Sequence, residues 1–228
     1  MRLRNLLLVC GVVSSLFYVG IDVLAAIAYG DYHSFASQTI SELSARGAPT
    51  KWLVDPLLVI YGLLAIAFGV GVWVSARRKR ALRITAGLLI AYGVVGLPGP
   101  WLFPMRVRGS GDVRGDVPHI VLTAMIVLLI LAAVAAGAFA RGPAFRLYSF
   151  ATLATILMFG ALVGIEARGI VTGQPTPSIG LTERVSIGAF LVWVAALALL
   201  LWPGQQRMAT ILSRLSGGAA VASLGSPS

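Results

Sequence analysis

Six apolar runs separated by short polar segments leave this chain one architecture. They cover residues 5–28, 52–75, 82–97, 118–140, 145–167 and 182–202. A hydrocarbon layer about 30 Å thick takes roughly 20 apolar residues per helical crossing. Inside it every backbone N–H and C=O must be paired within the structure, and a helix does this alone. With 58% hydrophobic and 11% charged residues, and a mean hydropathy of +0.90, the chain has too much apolar surface for one aqueous core. The expected fold is all-α, an integral membrane bundle of six transmembrane helices. The single Cys10 lies inside the first run, so it forms no intrachain disulfide and is expected to pack as a small apolar group.

Charge sets the orientation, because lysine and arginine near span ends collect on the cytoplasmic side. With the N-terminus cytoplasmic, that side holds Arg2, Arg4, Arg77, Arg78, Lys79, Arg80, Arg83, Arg141, Arg146, Arg207 and Arg214. The outer side holds Arg46, Lys51, Arg106, Arg108, Arg114, Arg168 and Arg184. Asp22, Asp31, Glu42, Asp55, Asp112, Asp116, Glu166 and Glu183, which are all the acidic residues, fall in the outer half. A plasma-membrane protein with both termini cytoplasmic is expected. Arg2 and Arg4 ahead of an apolar run also suit a secretory signal, but the run exceeds the roughly 7–15 residues of a signal core, so it reads as a retained span. The net charge of +10 then reflects topology and attraction to anionic lipid rather than to nucleic acid. Residues 1–204 are expected to form the six-span domain and 205–228 a cytoplasmic tail. In that tail Met208, Ile211, Leu212 and Leu215 recur at the spacing of a short amphipathic helix on the membrane surface, ahead of a small, polar, disordered end.

Polar chemistry is concentrated on the outer side. In the first outer loop Thr39 and Glu42 have the spacing of a capping box, Gly47 supplies a left-handed stop and Pro49 prevents resumption. These signals predict a short interfacial helix over 40–46, presenting Ser41, Glu42 and Ser44. Asp55 before Pro56 reads as an N-cap. In the stretch LPGPWLFP, Pro98 and Pro100 remove backbone donors, so the third helix should fail near Leu97 after about 24 Å. The remainder would be irregular backbone, tolerated at that depth only when covered by protein or lining a wet cavity. That points to an outward-opening pocket with Trp101 at its edge; the simpler alternative is an interfacial exit anchored by Trp101.

Arg106, Asp116 and His119 follow, and an imidazole at the start of the fourth span can serve as a proton carrier or ligand, or be merely solvated. Glu166 closes the fifth span. Thr182 is expected to cap the sixth, where Glu183 suits the helix N-terminus and Arg184 opposes it. Arg184 therefore needs a carboxylate, for which Glu183, Glu166 and Glu42 are candidates. Asp22, inside the first span near its outer end, needs a cation, with Arg106, Arg108 and Arg184 as candidates. A zinc site takes three or four ligands, and the chain has two histidines, His33 and His119, so no metal, haem or other cofactor is expected. Small residues one turn apart, Ala65 with Gly69 and Gly160 with Gly164, are expected to let helices approach closely.

The segment ISELSARGAP, the exit Phe103-Pro104-Met105, the stretch Asp116-Val-Pro-His119, and Gly180-Leu-Thr-Glu183-Arg184 ahead of a span carrying Trp193 together resemble a known family. It is the set of bacterial and archaeal membrane proteins grouped as domain of unknown function 998. The resemblance covers most of residues 5–202 and implies a multi-spanning membrane protein without an assigned activity. It implies no catalytic residues. A histidine often follows Phe-Pro-Met in that family's pattern, whereas this chain has Arg106, which removes support from a metal site.

Three classes of function fit these features. One is a non-catalytic bundle binding a membrane lipid or amphiphile in an outer pocket rimmed by Asp22, Ser41, Glu42, Ser44, Trp101, Arg106, Asp116, His119, Glu166, Glu183 and Arg184. Another is an intramembrane enzyme acting on an outer-leaflet lipid, with Glu42, Asp116 and His119 as acid, base or ligand. The third is an ion-coupled transporter using Asp22 or Glu166. No nucleophile motif or metal-ligand spacing demands an enzyme, and no broken inverted repeat marks a carrier, so binding is favoured. The partner implied is membrane lipid and not nucleic acid, and no feature fixes the oligomeric state.

Overall fold

The computed structural model describes residues 2–30 and 34–202, the side chain of Val113 excepted. Asp31, His33 and the expected tail helix lie outside the described residues. Seven α-helices run in order: α1 Arg2–Ala28, α2 Lys51–Ala76, α3 Arg80–Gly96, α4 Gly99–Leu102, α5 Val113–Gly137, α6 Pro143–Thr172 and α7 Ile179–Leu201. Six stretches are long and apolar enough to cross a membrane, the third being Arg80–Leu102, assembled from α3 and α4. The protein is an all-α bundle with six candidate membrane spans.

Short connections keep consecutive helices antiparallel and adjacent. α1 packs on α2, α2 on α3, α3 on α5, α5 on α6 and α6 on α7, and α7 returns to α1 and closes a ring. One end carries the mixed-charge loops 29–50, 103–112 and 173–178; the other carries the basic turns 77–79 and 138–142. An aromatic ladder runs through the ring. Tyr18 meets Tyr61 at 4.8 Å between ring centroids, Tyr92 meets Phe190 at 5.3 Å, and Trp193 lies between Phe190 and Phe145 at 6.4 and 6.1 Å. Polar tips buried in such a core need partners. The Tyr61 and Tyr92 hydroxyls share a 2.7 Å bond, Trp193 Nε1 donates to Ser149 Oγ at 2.9 Å, and Ser15 Oγ donates to the Leu191 carbonyl at 2.9 Å.

The α2–α3 seam explains one pair of small residues. A β-carbon on Gly69 would lie 3.0 Å from the Ile90 backbone nitrogen, and one on Gly93 would lie 3.0 Å from the Gly62 carbonyl oxygen, so these backbones approach as close-packed helices do. The other pair behaves differently. A β-carbon on Gly164 would meet open space, and one on Gly160 only the Ser186 hydroxyl at 4.0 Å. The expectation that this pair packs helices together within the chain is therefore corrected. α6 is the least buried crossing, with 11% of its apolar window buried.

The break at Pro98 also differs from expectation. Leu97 N–H still bonds to the Gly93 carbonyl at 3.1 Å, and Leu102 and Phe103 N–H bond to the Pro98 and Gly99 carbonyls at 2.9 Å each. Pro98 precedes α4 and Pro100 falls in its first turn, where a missing donor costs nothing. The chain continues as helix, and its paired backbone removes the reason to expect a wet cavity there.

Candidate functional site

Loops at the mixed-charge end are stitched into a cap. Thr39 N–H donates to Glu42 Oε2 at 2.8 Å and Glu42 N–H donates to Thr39 Oγ1 at 3.3 Å, which is the reciprocal pairing of a capping box. It encloses one 3-10 turn, Ser41–Ser44, and not a helix over 40–46. Ala45 is already extended, with ψ of 154°, and Gly47 has φ of 94°. The turn ends early because Arg46 leaves it to donate to the Met105 carbonyl at 2.7 Å.

The loops also satisfy helix ends. Gly180 and Leu181 N–H, in the first turn of α7, both donate to the Ala36 carbonyl, at 2.7 and 3.2 Å, while Gly109 and Gly111 N–H donate to the Ile170 and Val171 carbonyls at the end of α6, at 2.8 and 3.0 Å. These are the groups a helix leaves unpaired. The approach at Gly180 is so close that a β-carbon would run into the Phe35 and Gln38 carbonyl oxygens.

Two guanidinium groups hold this cap. Arg108 donates through Nε and Nη2 to the two oxygens of Glu42 at 2.9 Å each, through Nη2 to the Ser37 carbonyl at 3.0 Å, and through Nη1 to Thr176 Oγ1 at 2.8 Å. One side chain thus ties three loops together by bidentate, charge-assisted bonds. Arg184 donates through Nε and Nη2 to Asp22 at 2.9 and 2.7 Å, and through Nη1 to the Phe35, Gln38 and Gly180 carbonyls at 2.9, 2.8 and 3.1 Å. Its guanidinium also lies 4.7 Å over the Phe35 ring. Asp22, a charge inside a span, thereby has its partner, and Arg184 takes that aspartate and none of the three glutamates. Glu183 accepts instead from Ile40 N–H at 2.6 Å and from Ser41 Oγ at 3.4 Å. Thr182 does not cap α7, which starts at Ile179; its hydroxyl donates back to the Ser178 and Ile179 carbonyls at 3.0 Å.

A second cluster lies where the 103–112 loop enters α5. Buried Asp116 accepts from Arg106 N–H at 2.8 Å, and the Arg106 guanidinium pairs with Asp112 at 3.0 Å. His119 Nδ1 donates to the Phe103 carbonyl at 2.9 Å. Lys51 Nζ donates to Asp55 at 2.7 Å and to the Pro100 and Ser44 carbonyls at 2.7 and 3.3 Å. Asp55 therefore sits four residues into α2 as the partner of Lys51 and is not an N-cap. Glu166 stands apart and accepts from Ser178 through its N–H at 3.2 Å and its hydroxyl. Ser44 Oγ donates to the Ser41 carbonyl at 3.4 Å, and Trp101 on α4 is 62% exposed.

The structure thus joins Asp22, Ser41, Glu42, Glu183 and Arg184 in one network and Arg106, Asp116 and His119 in another. Reading the sequence missed two members of the first, Arg108 and Thr176. The signal for Arg108 was available: a buried Glu42 needs a cation as much as Asp22 does. Among the described residues no group of three or more His, Cys, Asp or Glu comes together. Two concavities lie elsewhere. One of about 370 Å³ is a side groove between α6 and α7, lined by Tyr148, Thr152, Thr155, Val185, Gly188 and Val192 among others, and one of about 500 Å³ opens at the basic end.

The stretch from α1 to the end of α7 also answers to a family. Residues 12–200 match the family described as "Protein of unknown function (DUF998)". The chain belongs to the DUF998 family. No curated protein and no solved structure matches it. The region matched in this DUF998 protein contains every cap residue described above and both concavities.

Proposed function

We propose that this DUF998 protein is a non-catalytic plasma-membrane protein that holds a lipid or amphiphile, with the mixed-charge cap facing outward and both termini cytoplasmic. The observation that carries this reading is the α6–α7 groove. It lies between two helices that are both apolar enough to span, and small residues, Ala151, Gly188 and Ala189, form its floor. Its threonine hydroxyls are already satisfied, Thr152 by the Tyr148 carbonyl and Thr155 by the Ala151 carbonyl, both at 3.0 Å. What remains for an occupant is apolar surface open to the bilayer, which suits an acyl chain. Glu166 and Arg168 stand about 16 Å further along α6, where an outer-leaflet headgroup would lie.

The rim carboxylates support binding over catalysis. An enzyme would use Glu42, Asp116 and His119 together, yet Glu42 bonds to Thr39 and Arg108, Asp116 to Arg106, and His119 to Phe103 and Thr123. The two sets share no partner. The test is Gly188→Leu, since a β-carbon there meets open space and the new side chain fills the groove without a clash. Native mass spectrometry of the purified protein should show lipid carried by the wild type and lost from this variant at unchanged thermal stability. Equal lipid retention would defeat the reading. A reporter fused after Ser110 that proved cytoplasmic would defeat the orientation.

A further inference from the structure

We infer that the concavity at the basic end binds the phosphate of an anionic membrane lipid. Lys79 and Arg80, at the start of α3, form one wall; Arg141 and Gly142, leading into α6, form the other; Phe139 closes the side. The Arg146 guanidinium lies 5.2 Å over the Phe139 ring and adds a further cation beside the opening. Arg141 is half-buried and held in place by donating from Nη2 to the Leu200 carbonyl, while its Nε is buried and has no hydrogen-bond partner.

These cations have no counter-ion of their own. Every acidic residue of the chain belongs to the opposite half of the bundle, and none occurs in 56–111 or 117–165, the stretches that contain both basic turns. The N-caps of α3 and α6, Lys79 and Gly142, make no side-chain capping bond, so both helices also present free first-turn N–H groups here. A phosphate supplies what all these groups lack, a compact anion with several acceptors. Its position at the ends of the spans places it at headgroup depth, and a volume of about 500 Å³ admits a phosphodiester with its first substituent. The site is separate from the α6–α7 groove and stands or falls independently of it.

Diffuse attraction of any basic face to anionic lipid is the effect to exclude, and the turn itself provides the control. Lys79→Gln with Arg80→Gln removes two charges that line the concavity; Arg77→Gln with Arg78→Gln removes two adjacent charges that do not. All four side chains are exposed, so both doubles keep the fold. Full-length protein in neutral detergent is titrated with phosphatidylglycerol, with phosphatidylcholine, and with inorganic phosphate alone, and bound species are counted by native mass spectrometry. Phosphatidylglycerol should be preferred over phosphatidylcholine, and the first double should weaken its binding roughly tenfold while the second leaves it nearly unchanged. Equal losses in both doubles would overturn the site. Saturable inorganic phosphate binding lost in the first double, with no preference between the two lipids, would overturn the lipid source in favour of a free anion.

Discussion

Removing Arg108 should loosen the whole cap. Its guanidinium supplies two of the four donors that satisfy the Glu42 carboxylate, the others being Thr39 N–H and Thr39 Oγ1 at 2.8 and 3.1 Å. The Glu42 side chain is 6% exposed and that of Arg108 25%. Breaking a buried pair by deleting one partner costs about 3–5 kcal/mol, because the other charge is left uncompensated. The partial exposure of Arg108 lets water reach the vacated side, so the lower end, about 3 kcal/mol, is expected for Arg108→Met. Replacing both groups, with Glu42→Leu and Arg108→Met, leaves no orphan charge, so the double should cost less than the sum of the singles, with a coupling of about 2 kcal/mol. Reversible unfolding in mixed micelles measures all four corners of the cycle. Amide exchange should report the same loss locally, at residues 36–46 and at Gly180 and Leu181, whose N–H groups are held by the Ala36 carbonyl. A cost for Arg108→Met below about 0.5 kcal/mol, or singles that add within that margin, would refute the view that this guanidinium unites three loops.

Three further outcomes follow from the same geometry. Gly180→Ala should destabilise the protein by about 1–3 kcal/mol, read as a lowered unfolding midpoint, because its new methyl group meets two loop carbonyls. Arg184→Lys keeps the charge but cannot bond both Asp22 oxygens and three carbonyls at once, so it should cost about 2 kcal/mol; a midpoint equal to wild type would show that charge alone suffices. Tyr61→Phe should cost about 1 kcal/mol by stranding the Tyr92 hydroxyl, and adding Tyr92→Phe should recover most of it, which the same titration would reveal.

The spans were legible because their cause is local. A run of about 20 apolar residues has one solution in lipid, so the helices fall within a few residues of expectation, except that α6 continues to Thr172. The capping box was legible for the same reason, since Thr39 and Glu42 are three residues apart. The extent of the turn it opens was not, because Arg46 is drawn off by Met105, a partner more than fifty positions away. Asp55 and Thr182 show the same limit. Each has the right residue type for an N-cap, but α2 starts at Lys51 and α7 at Ile179, where loop packing and not the local motif decides the boundary. Gly160 and Gly164 carry a helix-packing spacing, yet sequence cannot say which face of α6 has a neighbour. The polar bonds of the core, Tyr61 with Tyr92 and Trp193 with Ser149, join different helices and leave no periodic trace.

The most informative residue in the sequence was the one that broke a rule. A cation in the first turn of a helix opposes the helix dipole, and Arg184 sits there in α7. Its partners explain why this is tolerated. Asp22 neutralises it from α1, and three carbonyls, those of Phe35, Gln38 and Gly180, face its Nη1, so the side chain meets locally negative groups where the dipole alone would offer positive ones. Those carbonyls can face it only because Ala36 is already bonded to Gly180 and Leu181 N–H, which brings the 34–40 loop onto the helix end. The loop thus satisfies the helix donors with one carbonyl and the misplaced cation with two others. An isolated Arg184 would weaken α7; within the cap it links α1, α7 and the first loop, and the unfavourable position in the sequence is a consequence of that link.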